Sequence, residues 1–464
     1  MRKLFFCLAL LVVAGSLSAQ NFRGGYFLDG YTFGYKLNPA AAGDVDYVGL
    51  QTVTSVRSNL SLKYFLFPDP DGDGLVTGLH DSVDAEAFLA PLQKKMNPAV
   101  MEEDLNLFSF GYEKNGRYHV FDASLRAGVA TNVPYDTFEF LKVGTQWHSE
   151  FDMRDLFAKS HTWLELSYGQ SLQLSDKVRI GARVKGLLGL SYASAHFREL
   201  SLSLQENYWR ILSHSDMEFA GHGIDYKLKQ QDVYNDKGEV IGKKEINEVK
   251  FGSIAIRPEK FLTIHGLGAT FDAGVQWAPM DGLTLSAALL DVGGIKWFDS
   301  MYARTPDLDF RSDPDRMLVD RDENAASALG DIVRFVVQDE KKNSFDWMTA
   351  TVNAGAEYRL PFYDKMTVGL LGMYKLDNIF QWAEIRGAVS ASPLKWLSLS
   401  VNVGYNTYGM AYGAALAVNT RPVRVFIGTD AYVTEMTPQM VPLSRLNHNF
   451  QFGVAVPIYK NKRH

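Results

Sequence analysis

The chain alternates apolar and polar positions over unusually long stretches. In VRIGARVKGLLGLSYA, residues 178–193, one parity holds Val178, Ile180, Ala182, Val184, Gly186, Leu188, Leu190 and Tyr192, and the other holds Arg179, Arg183 and Lys185. Successive strand side chains point to opposite faces, so an apolar row stands back to back with a cationic one. The same arithmetic recurs in GLGATFDAGVQWAP, where Asp272, Gly274 and Gln276 oppose Phe271, Ala273, Val275 and Trp277. Two architectures use such rows. A soluble sandwich turns the apolar row to its core and the basic row to solvent, whereas an outer-membrane barrel turns the apolar row to lipid and the basic row to a wet lumen.

Strand length and turn spacing favour the barrel. Residues 162–174 and 177–195 read as a hairpin turning at Ser175-Asp176, longer than the roughly 5–6 residues of a soluble-core strand and suited to the roughly 9–11 of a tilted membrane strand. Further strands are expected at 47–56 and 60–67, paired around Arg57, Ser58 and Asn59, and at 105–113 and 118–131 around the turn EKNGR. Asp281-Gly282 turns another hairpin, and a near-continuous series follows at 348–358, 365–374, 381–390, 396–405, 408–418, 423–430 and 450–458. Short connections such as 361–364 and 392–395 alternate with larger ones. The pattern predicts an all-β, transmembrane antiparallel barrel of about 14 strands, within 12–16, whose closure leaves no sheet edge in lipid.

Large polar excursions interrupt it near 209–246, with NDKGEVIGKKE close to its tip, and at 298–345, which contains TPDLDFRSDPDRMLVDRDE and an amphipathic helical pattern over 325–337. Short helices are expected over 83–94 and 138–143. The first of these reads as a loop element or a small lumenal plug, GYKLNPAAAGD as a turn and short packed segment before the first strand, and the pattern allows a short N-terminal or loop plug.

Composition agrees with a polar-lumen barrel. Of 464 residues, 22% are charged and 13% aromatic, and the mean hydropathy of -0.12 is too low for a bundle of apolar membrane helices. A net charge of -6 and a pI near 6.0 give no electrostatic reason to bind nucleic acid. Arg2 and Lys3, the apolar run 4–14 and the small residues Gly15, Ser16, Ser18 and Ala19 have the layout of a secretory signal peptide over 1–19. Residues 20–464 then form one barrel domain, exported to a bacterial outer membrane. Cys7, the only cysteine, lies inside that signal, so disulfides and cysteine chemistry are excluded from the mature chain.

The early YFLDGYTFGYKLNPAAAGD and the later GLGATFDAGVQWAP resemble an uncharacterised outer-membrane-type barrel family abundant in Bacteroides-like bacteria, over most of residues 21–464. Through Asn38, Pro39 and Ala40 and the Gly-rich hairpins, the chain more distantly resembles the long-chain fatty-acid transporter superfamily. That resemblance implies a 14-stranded barrel with an N-terminal plug and a lipid-like substrate. It transfers no ligand residue, and the basic tail after Tyr459 departs from the aromatic ending of many bacterial barrels.

Candidate chemistry is sparse. In DPDGDGLV, Asp69, Asp71 and Asp73 alternate before Gly74, with Val76 at the apolar position of a calcium loop. His80 replaces the distal bidentate carboxylate, so bound Ca2+ competes with a plain solvated acidic loop. Asp307, Asp309, Asp313 and Asp315 with Arg311 and Arg316 read either as a cation or headgroup site or as exposed ion pairs. His119, His148, His161, His196, His214 and His222 show no metal-ligand spacing, and no hydrolase elbow or phosphate loop occurs, so no enzyme is expected. Arg179, Arg183, Lys185, Asp272 and Gln276 are the lumen-lining candidates. The cations there either attract an anionic solute or pair with lumenal carboxylates. Tyr112, Trp163, Tyr192, Trp277, Trp297, Trp382, Trp396 and Tyr405 are expected as interfacial girdles or as fillers of plug and loop cores.

The expected function is an outer-membrane barrel, embedded in lipid, that binds or passively transports a small hydrophobic or amphipathic molecule; an anionic ligand is the variant suggested by the lumenal cations. The alternative is a structural or secretion-associated scaffold docking a periplasmic or surface protein.

Overall fold

The computed structural model describes residues 23–41, 43–61, 66–68, 75–205, 208–221, 224–234, 240–254, 262–311, 332, 334–377, 381–432 and 445–459. Fourteen antiparallel strands follow one another around a closed ring: β1 Asp46–Ser61, β2 Met96–Lys114, β3 Arg117–Pro134, β4 Leu156–Ser175, β5 Val178–Gln205, β6 Gly266–Met280 and β7 Leu283–Arg304. The ring continues through β8 Ala350–Arg359, β9 Met366–Leu376, β10 Trp382–Leu394, β11 Leu397–Asn406, β12 Gly409–Asn419, β13 Arg424–Ala431 and β14 Arg445–Ile458. Closure is direct, because β1 pairs with β14 from Asp46↔Ile458 and with β2 through Tyr47↔Gly111.

The faces of this sheet are inverted relative to a soluble protein. Along β11, Leu399, Val401, Val403 and Tyr405 are 41–63% exposed, while Ser398, Ser400, Asn402 and Asn406 are 2–4% exposed. A soluble sandwich requires the opposite, so the outer apolar surface is the lipid face of a membrane barrel. No helix among the described residues is long and apolar enough to cross a membrane; the crossing is made by strands.

One end of the ring carries the start of β1, the end of β14 and tight connections such as Lys114 to Arg117, Ser175 to Val178 and Met280 to Leu283. The other end carries the long connections, the pattern in which short turns are periplasmic and long loops external. There β5 and β7 continue above the bilayer. The strand Tyr208–Gly221 sits on top of β6, pairing with β5 at Ser191↔Gly221 and with β7 at Met301↔Phe219. Val336–Trp347 occupies the corresponding place above β8, pairing Trp347↔Gly294 with β7. Helix α1 Ala85–Leu89, helix α2 Tyr135–Val143 and the upper strands enclose an apolar external core around Phe88, Phe138, Phe151, Leu202, Phe219 and Met301.

Several sequence expectations change. The proposed pair 47–56 and 60–67 is not a hairpin, because β1 runs without a break across Arg57 and Ser58. The helix of the 83–94 region packs in the external core and is not a lumenal plug. Leu190 and Tyr192 leave the lipid-facing row. A register shift pairs Ser191 with Thr162 but Gly189 with Trp163, so Leu190 is an extra residue and the parity flips beyond it. Tyr192 then stacks inside on Trp297, with ring centroids 5.2 Å apart. The aromatic residues accordingly divide: Trp277, Trp396 and Tyr405 are 47–63% exposed on the outside, whereas Trp163, Trp297 and Trp382 are buried within. The 209–246 excursion, which its sequence allows as a projecting hairpin, is indeed largely strand, with Ile224–Tyr234 pairing antiparallel to Val240–Ile254. The helical pattern over 325–337 lies mostly outside the described residues, and its last two residues begin a strand. The signal-peptide region also lies outside them.

Candidate functional site

The segment before β1 lies inside the ring, as its contacts require. Arg23 meets Glu384 of β10 and Asp430 of β13, Lys36 meets Asp104 of β2, and Asn353 of β8 donates to the Leu37 carbonyl. Asn38 donates to the carbonyls of Val275 on β6 and Ala287 on β7, at 3.2 and 3.5 Å. A segment can touch strands on all sides of a barrel only from the lumen. Among its described residues it contains two 3-10 turns, Gly24–Phe27 and Gly34–Lys36, and no α-helix.

Small residues on the wall admit it. A Cβ on Gly181 would sit 2.1 Å from the Pro39 carbonyl oxygen, and one on Gly274 would sit 2.0 Å from Asn38 Oδ1. Both belong to the inward parity of the rows read from sequence, so these glycines mark where backbone and wall approach closely.

Charge pairing fixes the rest. Arg183 Nη2 lies 2.6 Å from Asp122 and 3.2 Å from Glu165, its Nη1 lies 3.5 Å from Asp272, and its guanidinium stands 5.2 Å over the Tyr35 ring of the plug. Lys185 bridges Asp272 at 2.7 Å and Asp291 at 2.6 Å. Arg126 lies 3.6 Å from Glu165 and 3.5 Å from Asp104, and Lys36 closes the chain on Asp104 at 2.8 Å. Four cations thus meet five carboxylates: Lys36, Arg126, Arg183 and Lys185 against Asp104, Asp122, Glu165, Asp272 and Asp291. The pairing reading of the basic row therefore describes Arg183 and Lys185, whose charges are balanced locally. Arg179 stands lower, half-buried and donating to Gln173 at 2.8 Å, and Gln276 faces it in the strand register, half-buried.

Toward the external end of the lumen is a chamber of about 100 Å³, continuous with solvent. Its walls come from five barrel strands, β1, β2, β3, β4 and β9, and include Arg57, Glu102, Lys159, His161, Lys375 and Phe157. Glu102 holds Arg57 at 2.6 Å and Lys375 at 2.8 Å. Trp382 touches both regions, with the guanidinium of Arg23 from the N-terminal segment 4.9 Å and that of Arg57 from the chamber wall 5.3 Å from its ring centroid.

Sequence reading did not find Asp104, Asp122, Glu165, Lys36 or the chamber residues. Their signal was present as polar side chains of inward parity, but the strand register that brings them together was not. Asp69, Asp71 and Asp73 lie outside the described residues, and those described contain no group of three or more metal-ligating side chains. In the second acidic stretch, Asp307 pairs with His214 at 2.5 Å and Asp309 with Arg210 and Arg311 at 3.4 Å, while positions 313, 315 and 316 lie outside.

A closed barrel with an apolar outer band and a plugged, polar interior defines an outer-membrane-type protein. Residues 39–430 match the model of a family of unknown function, DUF5723, and the chain belongs to that family. No curated protein matches it. Among solved structures it is similar to the Ralstonia pickettii toluene transporter TbuX, at 8% identity with a TM-score of 0.43, over 92% of this chain and 94% of that one. A Pseudomonas aeruginosa FadL homologue is similar at 11% identity and TM-score 0.43, over 96% and 98% of the two chains. The P. putida toluene transporter TodX follows at 8% and 0.40, over 93% and 95%. The barrel stands on its own strand pairing.

Proposed function

We propose that this chain is an outer-membrane channel, kept shut at rest by its own N-terminal segment, that binds a small amphipathic molecule in the chamber and passes it without energy coupling. The observation that carries the reading is the chamber itself, whose lining sets apolar Val100, Val129 and Phe157 beside charged Arg57, Glu102 and Lys375. Such a cavity satisfies a polar head and an apolar body together. Residues 1–19 serve as the export signal in this reading, and outer-membrane lipid covers the apolar band.

The test is extraction from outer membranes in mild detergent, followed by mass spectrometry of co-purifying small molecules. One amphipathic class should be enriched over an empty-membrane control and lost from an Arg57→Met, Lys375→Met double variant. A folded barrel without any enriched molecule, or equal retention by the variant, would overturn the assignment. The scaffold alternative rests on the external strands, whose tall, capped structure offers a surface well beyond the bilayer. A reproducible protein partner, with an empty chamber, would favour it.

A further inference from the structure

The chamber balances its charges but places them unevenly. Arg57, Lys159 and Lys375 line it together with Glu102 and Asp377. Lys159 is met from behind the lining by Asp346 at 2.6 Å, so three cations stand against three carboxylates. Arg126, the nearest cation below, belongs to the plug frame through Asp104 and Glu165. The other ionisable group of the lining, His161, packs on Trp163 with ring centroids 4.7 Å apart. Within this balance, Arg57 at 2.6 Å and Lys375 at 2.8 Å share the one carboxylate of Glu102, which leaves positive charge in excess at that point. Asp377 stands two residues beyond Lys375, its Oδ2 accepting from the uncharged Thr349 hydroxyl at 2.8 Å. At roughly 3.3 Å of rise per residue, the cationic and anionic points are about 7 Å apart along the chain.

Such a distribution discriminates against ligands of one sign. A simple anion or cation would unbalance a neutral, partly buried cavity, whereas a molecule carrying both signs meets each point with its complement. Hydrogen bonds between ionised partners are stronger than neutral ones, and the fork of Arg57, held 5.3 Å from the Trp382 ring, matches a carboxylate. Beside the charges the lining is apolar at Val100, Val129 and Phe157, and a volume of about 100 Å³ suits a side group of a few carbons, not a long chain.

We propose that the chamber binds a small apolar α-amino acid, about the size of valine, as its zwitterion. The carboxylate lies on Arg57 and Lys375, the ammonium turns toward Asp377, and the side group rests on Val100, Val129 and Phe157. This names the class of amphipathic molecule taken by the chamber, and it rests on the chamber being the binding site.

Equilibrium dialysis of radiolabelled valine against the purified full barrel in detergent tests it. Isovalerate lacks the ammonium of valine and isobutylamine lacks its carboxylate, so each should displace valine only at concentrations at least tenfold above those of unlabelled valine. Asp377→Asn should weaken valine about tenfold and leave isovalerate unchanged, whereas Arg57→Met should weaken valine and leave isobutylamine unchanged. Folding is verified by heat-modifiable migration, and Lys375→Met replaces Arg57→Met if that barrel does not form. Half-molecules that compete as well as valine would overturn the zwitterion and leave the chamber an amphipathic site. Absence of saturable valine binding would overturn this inference alone, because the amphipathic reading stands or falls on the molecules that co-purify.

Discussion

Lys36 gives the most direct test of how the plug is held. Its ammonium lies 2.9 and 2.8 Å from the two Asp104 carboxylate oxygens and 3.1 Å from Ser124 Oγ, with both charged side chains at most 2% exposed. In Lys36→Met, Asp104 keeps only the more distant Arg126, at 3.5 Å. Breaking a buried pair by removing one partner costs about 3–5 kcal/mol. Because Lys36 belongs to the plug and Asp104 to the wall, that loss falls on the docked state of the plug. At 1.4 kcal/mol per tenfold, the docking equilibrium should shift by roughly a hundredfold to a few thousandfold. In planar bilayers the variant should show frequent open-level currents where the parent is mostly closed, and chymotrypsin should cut residues 23–45 faster, at Tyr26, Phe27, Tyr31, Phe33 or Tyr35. Lys36→Met combined with Asp104→Leu removes both charges and should recover much of the closed behaviour, so the pair forms a double-mutant cycle. Parent-like closure in Lys36→Met would refute the clamp, and so would additive effects in the double variant.

Parity along β5 supplies a second prediction. Gly181→Val directs a side chain into the Pro39 backbone and should displace the plug, raising conductance and protease sensitivity, whereas Gly186→Val points outward, its nearest neighbour the Leu166 carbonyl at 3.9 Å, and should leave both unchanged. A third concerns acid. Burial raises the Asp44 carboxyl pKa, but the bidentate Arg424 guanidinium, at 2.6 and 2.7 Å, outweighs it and the net value falls below the ordinary 3.8. A depressed carboxylate stabilises above its unfolded pKa and loses that contribution as pH falls through the folded value. Protection factors for hydrogen exchange around residues 43–46, corrected for the intrinsic pH dependence of amide exchange, should therefore be constant from pH 7 to 5 and fall only below about 3.8, a step that Asp44→Asn should remove.

Much of the barrel was legible because a strand in lipid is constrained residue by residue. Leu399, Val401, Val403 and Tyr405 alternate with Ser398, Ser400 and Asn402, and only an inside-out sheet exposes the first set. Errors came where that constraint ends. Beyond Gly189, β5 leaves the bilayer and is covered by the external core, so Leu190 has no lipid to face, and a single extra residue reverses the parity. The break expected at Arg57-Ser58-Asn59 failed for a related reason: polar residues suggested a turn, but Arg57 and Ser58 are buried in β1, with Arg57 on Glu102 and Ser58 donating to the Pro98 carbonyl at 2.7 Å.

The interior was legible only by side, not by partner. Parity shows that Arg183 and Lys185 point inward, but their meaning depends on residues brought close by register, and those lie far off in sequence. Asp122 reaches Arg183 across 61 residues, Asp272 across 89, and Asp430 meets Arg23 across 407. Unpaired, these cations would make the lumen an anion-attracting pore. Paired with carboxylates that outnumber them in a buried interior, they make a rigid frame, because an uncompensated charge there would be costly. In the channel reading proposed above, discrimination among solutes would fall to the solvent-open chamber, where Arg57 and Lys375 share the single carboxylate of Glu102. The N-terminal segment is tied to the wall at separate points, by Arg23 to Glu384 and Asp430 and by Lys36 to Asp104 of the frame, so displacing it unpairs buried charges on several strands at once.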